Sequence, residues 1–347
     1  GNPPYLGARY QRDIHRKDMA FVLKHIIGYK RLDYICIWFY KAKNFIRNSN
    51  SKCALVSTNS ICQGEQTINF WPEIIKDEKI EIGFAYQSFK WKNSAKGNAG
   101  VTVIIVALRN ISNNPKYLFI DEIKQEVKNI NSYLVEGKNV FVSKRSKPIS
   151  DFPKITRTNP ALDDGHLLLN ETERNKLIGA YTEAKGLIKP VVGAAEFLRG
   201  ISKYCLWIAE KQLDLANTIP PVKERIDKVR EYRLKRKNPA SKNPASFPHQ
   251  FLKRKMAKET VLFLPTVSSE RRDYIPIGFY GKETVIIDPN FAIYDPEPLI
   301  FGILSSKIHM AWVKTISGKL KTDYRYSSTL CYNTFPFPDI SKVKKAN

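Results

Sequence analysis

Between residues 18 and 108 the chain alternates between two hydrophobic periods, and this alternation restricts the fold more than any other feature. Met19, Phe21, Val22, Ile26, Ile27, Tyr34, Ile37, Trp38, Tyr40 and Phe45 recur at helical spacing with Lys and Arg between them, so residues 18–47 are expected to be helical. Residues 53–58 form a short apolar run that fits a buried strand. Gly64 to Lys76 returns to helical spacing, and residues 80–88 and 101–108 are two further strands. The second, Val101 to Leu108, is continuous and β-branched, as expected of an interior strand. Strand, helix, strand and a long hairpin together make the tail of an α/β sheet.

Beyond residue 110 the character changes. Asn110 to Pro115 is polar and loop-like, and residues 117–160 hold short apolar runs interrupted by Pro148, Pro153 and Pro160. A helix is expected within 205–237, followed by a loop rich in Asn, Pro, Ala and Ser at 238–248. Residues 261–300 read as short strands, and 299–316 is apolar at helical spacing. The expectation is two domains, 1–115 with an α/β sheet and 116–347 of α+β type, and 347 residues suffice for both.

Charge narrows the partners. Fifty-seven Lys and Arg against 33 Asp and Glu give a net charge of +24, which calls for a polyanion, with nucleic acid first. Residues 222–258 concentrate this, with thirteen basic and three acidic side chains. Arg230, Arg233, Lys235 and Arg236 are expected to grip phosphates from a basic helical segment; the plainer account is a solvated basic face. Ser269, Glu270, Arg271, Arg272, Lys319, Lys321 and Arg325 are expected to reach DNA, where paired donors and acceptors read base edges. Arg271 and Arg272 could equally pair with Glu270 or Asp273. The five cysteines form no CxxC and sit among apolar neighbours, as reduced buried thiols do. The five histidines lack ligand spacing, so no metal is expected; His25 and His309 read as packed or capping residues. No apolar run has transmembrane length, and no signal peptide opens the chain.

Asn2-Pro3-Pro4-Tyr5 carries the chemistry. It could be a proline-stiffened turn with an aromatic anchor. It also meets what amino-group methylation needs. An exocyclic amine is a weak nucleophile because its lone pair is delocalised into the ring. Two acceptors that hold both N–H bonds favour a pyramidal nitrogen with the lone pair aimed at the methyl group. The Asn2 side-chain oxygen and the Pro3 carbonyl can be those acceptors, Pro3 and Pro4 stiffen the loop, and Tyr5 offers a face for stacking. A base extruded from a duplex gains from a second aromatic. Phe89 or Trp91, between two expected strands, supplies it, unless that aromatic packs into the core.

The motif resembles motif IV of N6-adenine DNA methyltransferases. With Asp33-Tyr34, Leu55 to Ser60, and Phe89-Lys90-Trp91 with Asn93 and Ala95, it resembles the MmeI-like (type IIL) restriction–modification enzymes in particular. The likeness continues through Asp164 to Leu169, Glu196 to Gly200, Cys205 to Trp207, Ser269 to Gly278, Tyr324 to Ser327 and Tyr332 to Pro338, which resemble that family's target-recognition domain. It implies a partial Rossmann-like class I methyltransferase sheet, S-adenosylmethionine as donor, double-stranded DNA as partner and a prokaryotic cytoplasmic setting. In that family the glycine-rich donor-binding strand and its acidic residue precede motif IV. The chain is therefore expected to be a part that is inactive alone, completed by a donor-binding half in the same polypeptide or a separate one. Two other readings stay open: a DNA specificity module without catalysis, and a methyltransferase acting on RNA or on protein glutamine.

Overall fold

The computed structural model describes residues 1–76, 79–91, 101–236, 243–320 and 322–338, with backbone alone at 90, 91, 101 and 320. The chain divides into two compact units, the first built from 1–149, 269–271 and 311–336. Its five strands are β1 (Lys52–Thr58), β2 (Ile80–Trp91), β3 (Val101–Asn110), β4 (Lys116–Ile120) and β5 (Ile123–Val127). They form one sheet in the order β1-β3-β2-β4-β5. β3 is antiparallel to both neighbours, so β1 and β2 run the same way, and β4 lies parallel to β2. The position expected to divide the domains, 115/116, thus falls just before β4, inside this sheet.

Gly1 forms the two bonds of a parallel ladder with β1: its nitrogen donates to the Ala54 carbonyl at 2.6 Å, and its carbonyl accepts from Val56 N–H at 2.8 Å. The chain runs from Gly1 in the direction of β1 and leaves at that strand's carboxyl end. Open α/β sheets present their ligand-binding loops at this end.

Three helices, α1 (Asp13–Leu23), α2 (Cys36–Ile46) and α3 (Gly64–Ile75), pack on one face of the sheet. Leu23, Ile35, Phe39, Phe70, Trp71 and Ile74 meet Ile82, Ala85, Val106 and Leu108 there. The single helix expected over 18–47 is two helices. Gly28 takes a left-handed φ of 82°, Tyr29–Arg31 make one tight turn, and Tyr34 N–H bonds the Leu6 carbonyl instead of continuing a helix. On the opposite face Tyr86 stacks on Phe119 with centroids 4.2 Å apart, and Phe84 meets both edge-on.

β2 carries two bulges. The first is at Gly83, where a Cβ would stand 2.6 Å from Arg109 Cδ. Glycine is needed there because the Arg109 side chain crosses that backbone to reach Glu81 at 2.8 Å and the carbonyls of Asn114 and Pro115. The second lies between Tyr86 and Phe89, where three steps on β2 oppose two on β3. Such a bulge releases side chains from the ladder and re-aims them.

Among the described residues the second unit takes in 150–268, 272–310 and 337–338. It holds β6 (Thr156–Arg157), β7 (Leu168–Asn170), α4 (Glu171–Ala180), β8 (Ile188–Val192), α5 (Ala194–Arg199), β9 (Lys203–Leu206), α6 (Leu213–Thr218), α7 (Pro220–Lys235), β10 (Thr260–Leu264), β11 (Gly278–Gly281), β12 (Val285–Ile286) and β13 (Phe291–Tyr294). Two small sheets, β11-β10-β13-β6 and β12-β8-β9-β7, supply its cores. α7 starts on Pro220-Pro221, where missing N–H groups cost nothing, and buries Val222, Ile226 and Val229. It ends at Lys235, so the basic helical segment expected over about 222–258 is shorter. Past the undescribed stretch, Asn243–Ser246 form only a single tight turn around Pro244.

All five cysteines are free, and burial pushes the Cys205 and Cys331 thiols up to about 12. Among the described residues no single helix is long and apolar enough to cross a membrane, and no cluster of three or more His, Cys, Asp or Glu side chains could hold a metal ion.

Candidate active site and nucleic-acid interface

Asn2 and Pro4 are exposed, while Pro3 and Tyr5 are half-buried, Tyr5 resting on the helix-covered core. Among the described residues the Asn2 carboxamide has no hydrogen-bond partner, so both of its polar atoms are open to a ligand. The loop is held from behind. Asp33, 8 % exposed, accepts Ala8 N–H at 3.1 Å and the Gln66 amide at 3.1 Å on one oxygen, and the Ser60 hydroxyl at 2.5 Å on the other. Its neighbour Tyr34 donates a backbone N–H to Leu6 at 2.9 Å. One carboxylate thereby ties the exit of the Asn2–Tyr5 loop to the carboxyl end of β1, through Ser60, and to the first turn of α3, through Gln66. Satisfied buried networks of this kind hold one geometry.

The second bulge of β2 puts its side chains beside the same strand end. Asn59, just past β1, donates to Ser88 Oγ at 3.2 Å, and Gln87 donates to the Leu134 carbonyl at 2.7 Å. Phe89 follows, half-buried, with its ring edge-on to Tyr86 at 5.9 Å. The Trp91 side chain lies outside the described residues; its backbone pairs with Val101. Reading from sequence missed the parts played by Asp33, Asn59, Ser60, Gln66, Gln87 and Ser88. The available signals were a lone carboxylate between Leu32 and Tyr34, and a polar run, Ser57 to Ser60, directly after an apolar strand.

The expected DNA-facing residues divide. Arg230 and Lys235 are exposed on α7, and Arg236 is exposed just past its end. Arg230 pairs with Asp227 at 3.3 Å, Lys235 with Glu231 at 3.4 Å, and Arg236 bonds the Tyr232 hydroxyl at 2.8 Å. Arg233 corrects the expectation: it is fully buried, facing inward one step past Val229 on the apolar stripe. Its guanidinium donates to the carbonyls of Leu162, Pro244, Phe247, Ala161 and Gln250 at 2.7–3.0 Å. All five N–H groups are used, which leaves none for a phosphate.

Ser269 is half-buried and accepts Arg271 N–H at 3.3 Å, and Glu270 N–H reaches Asp323 at 3.4 Å. Arg271 and Arg325 are exposed and Arg272 half-exposed; none forms an ion pair among the described residues, so the salt bridges to Glu270 or Asp273 that the sequence allowed are not made. Lys319 is half-buried, its ammonium 5.3 Å from the Tyr324 ring. Lys321 lies outside the described residues.

Comparison with known proteins finds two family regions along the chain, and the second of them includes 269–271 and 311–336 of the first structural unit. Residues 1–120 match the family described as MmeI, DNA-methyltransferase domain, and residues 136–339 match MmeI, target recognition domain. DNA methyltransferase A of Bacillus subtilis (strain 168) is 43 % identical over 346 residues, which is 99 % of this chain and 39 % of the relative. The type IIL restriction–modification enzyme MmeI, solved in complex with DNA, superposes with a TM-score of 0.86 at 34 % identity, over 100 % of this chain and 47 % of that one. The chain thus spans less than half the length of each of these relatives. It belongs to the MmeI family, and joins that family's methyltransferase region to its target recognition region.

Proposed function

We propose that the chain is the acceptor-binding and DNA-reading part of a site-specific DNA methyltransferase of a restriction–modification system, acting on the N6 amino group of an adenine swung out of the duplex. The observation that carries this is the exposed Asn2 carboxamide, without a partner among the described residues, on a loop locked from behind by Asp33. In this reading the Asn2 oxygen and the Pro3 carbonyl accept the two amino protons and turn the nitrogen lone pair outward. Pro3 and Pro4 keep the two oxygens at a set spacing, so little reorganisation is needed when the base arrives. Tyr5 stacks on one face of the base, and Phe89, or Trp91, closes over the other. Arg230, Lys235 and Arg236 grip phosphates, and Ser269, Glu270, Arg271, Arg272, Lys319, Lys321 and Arg325 meet the duplex near the bases. The exposed arginines without ion pairs support this, since an unpaired guanidinium is free for a bidentate contact.

The donor in this reading is S-adenosylmethionine, which supplies the activated methyl group. Among the described residues no glycine-rich turn joins a strand to a helix. In this reading they furnish the acceptor side of the reaction: they hold the amino group, stack on the base and grip the duplex.

The test is methyl transfer by the full-length protein with radiolabelled donor. Label is expected on adenine N6 of double-stranded DNA, and Asn2→Ala should abolish transfer while leaving duplex affinity within about twofold. Label on cytosine, RNA or protein would overturn the reading, as would an Asn2→Ala variant with full activity.

A further inference from the structure

Within the first unit a cavity of about 300 Å³ opens beside the carboxyl ends of β1 and β2, walled on its far side by Lys314, Thr315, Lys319 and Tyr324. Its charged lining is two lysines to one carboxylate, beside the amides of Asn59, Gln63 and Gln87. Lys314 and Lys319 both line it, and neither has an ion pair among the described residues. The carboxylate in the lining, Asp121, is exposed on a surface turn. Ser88 Oγ already accepts from Asn59, so its own proton is free to donate. Tyr133 Oη likewise accepts Val142 N–H at 3.1 Å and keeps its proton. Tyr324 is 7 % exposed, and its hydroxyl has no partner among the described residues. Burial raises both phenols, so they stay protonated donors, and burial lowers Lys319, with the nearby Glu270 carboxylate opposing that shift and Lys314 adding to it. Two lysines and three hydroxyl donors, of which Ser88 and Tyr133 already accept a bond, line one space and form a site for an anion.

We infer that this cavity seats one backbone phosphodiester of the bound DNA strand, held by Lys319 and Lys314 with the hydroxyls of Ser88, Tyr133 and Tyr324. This rests on the DNA-reading function proposed above. It extends that function by assigning a fixed phosphate to the ground beneath the β2 bulge, one residue before Phe89. Anchoring the strand there would set how far a neighbouring nucleotide can swing toward the Asn2 loop.

The experiment is the salt dependence of duplex binding by the full-length protein, measured by fluorescence anisotropy from 50 to 200 mM salt for wild type, Lys319→Gln, Lys319→Arg and Lys314→Gln. Losing one phosphate contact lowers the log–log slope by about 0.9; with Lys314 still beside the same phosphate, Lys319→Gln should lower it by up to that amount, so over this range it should lose up to ~3.5-fold less affinity than wild type. Lys314→Gln should fall in the same direction, and Lys319→Arg should keep the wild-type slope. An unchanged slope in Lys319→Gln, with wild-type binding intact and salt-sensitive, overturns the cavity assignment alone. Wild type without salt-sensitive duplex binding overturns the DNA-reading function with it. Titration with inorganic phosphate separates the sources: Lys319-dependent uptake of phosphate with no change in the DNA slope would make this a small-anion site and refute the inference.

Discussion

Replacing Asp33 by alanine isolates the contribution of the brace behind the acceptor loop. The wild-type carboxylate satisfies Ala8 N–H, the Gln66 amide and the Ser60 hydroxyl while 8 % exposed. In Asp33→Ala, Ser60 can turn to Thr58 Oγ1, already 2.9 Å away, which recovers one of the three. The Ala8 N–H and one Gln66 amide proton, the other still bonded to the Arg31 carbonyl, lose their acceptor in a half-buried setting, at about 1–3 kcal/mol each, so ~2–6 kcal/mol of stability should go. Asp33→Asn keeps the shape and the acceptor for Ala8, loses the charge assistance to Ser60, and should cost about 1 kcal/mol. Urea unfolding of the full-length protein measures both. Methyl transfer is then compared at a temperature where wild type and both variants are folded. A loop released by even 1 Å is expected to lose on the order of 100-fold in kcat, with duplex affinity within about twofold. Asp33→Ala with a loss below about 1 kcal/mol would refute the brace. A destabilised Asp33→Ala with wild-type kcat would show that the brace serves the fold and not the loop.

Arg233→Met should destabilise by at least about 3 kcal/mol, because five carbonyls lose their donor, and should leave the salt slope of DNA binding as it is in folded protein. The triple change Arg230→Gln, Lys235→Gln and Arg236→Gln should do the reverse. Its stability change should stay under about 1 kcal/mol, its salt slope should fall by up to about 2.7, and preference among sequences should be unaltered; a steep, unchanged slope would remove α7 from the interface. Gly83→Ala should cost about 1–3 kcal/mol, since the new Cβ meets Arg109 Cδ at 2.6 Å; a wild-type melting temperature would mean Arg109 has another route. Desolvation lowers buried His309 from 6.5 to about 4, so the unfolded chain binds a proton that the folded chain refuses. The stability tied to His309 is therefore complete above about pH 6.5 and falls as pH drops toward 4, by ~1.4 kcal/mol per unit. Urea midpoints at pH 7 and 5 should converge in His309→Asn relative to wild type; equal losses in both proteins would refute the assignment.

Local pattern reported the elements of the first unit well because burial there follows period. Ile82, Ala85, Val106 and Leu108 alternate into the core, and Phe39, Phe70 and Trp71 recur along helix faces. Pattern failed where backbone bonds were claimed from a distance. Residues 18–47 kept a helical period across the break at Gly28 because side chains near the break still face the core, while Tyr34 N–H went to Leu6. The basic count over 222–258 likewise treated every arginine alike. Arg233 and Arg230 differ only by which side of α7 they occupy, and one is wholly buried while the other faces solvent.

From sequence alone came the Asn2-Pro3-Pro4-Tyr5 motif, the α/β character of the first hundred residues, the cationic balance and the family resemblance. All of these are properties of short windows, or sums over the chain, and need no knowledge of what lies opposite. Tertiary structure decided which groups are free and which are spent. Asp33, Ser60 and Gln66 meet across 27 to 33 residues, Ser88 reaches Asn59, and Arg233 gathers carbonyls from segments up to 72 residues away. Hydrogen bonding saturates, so a polar side chain is available for chemistry only when folding has not already supplied its partner, and that is settled in three dimensions.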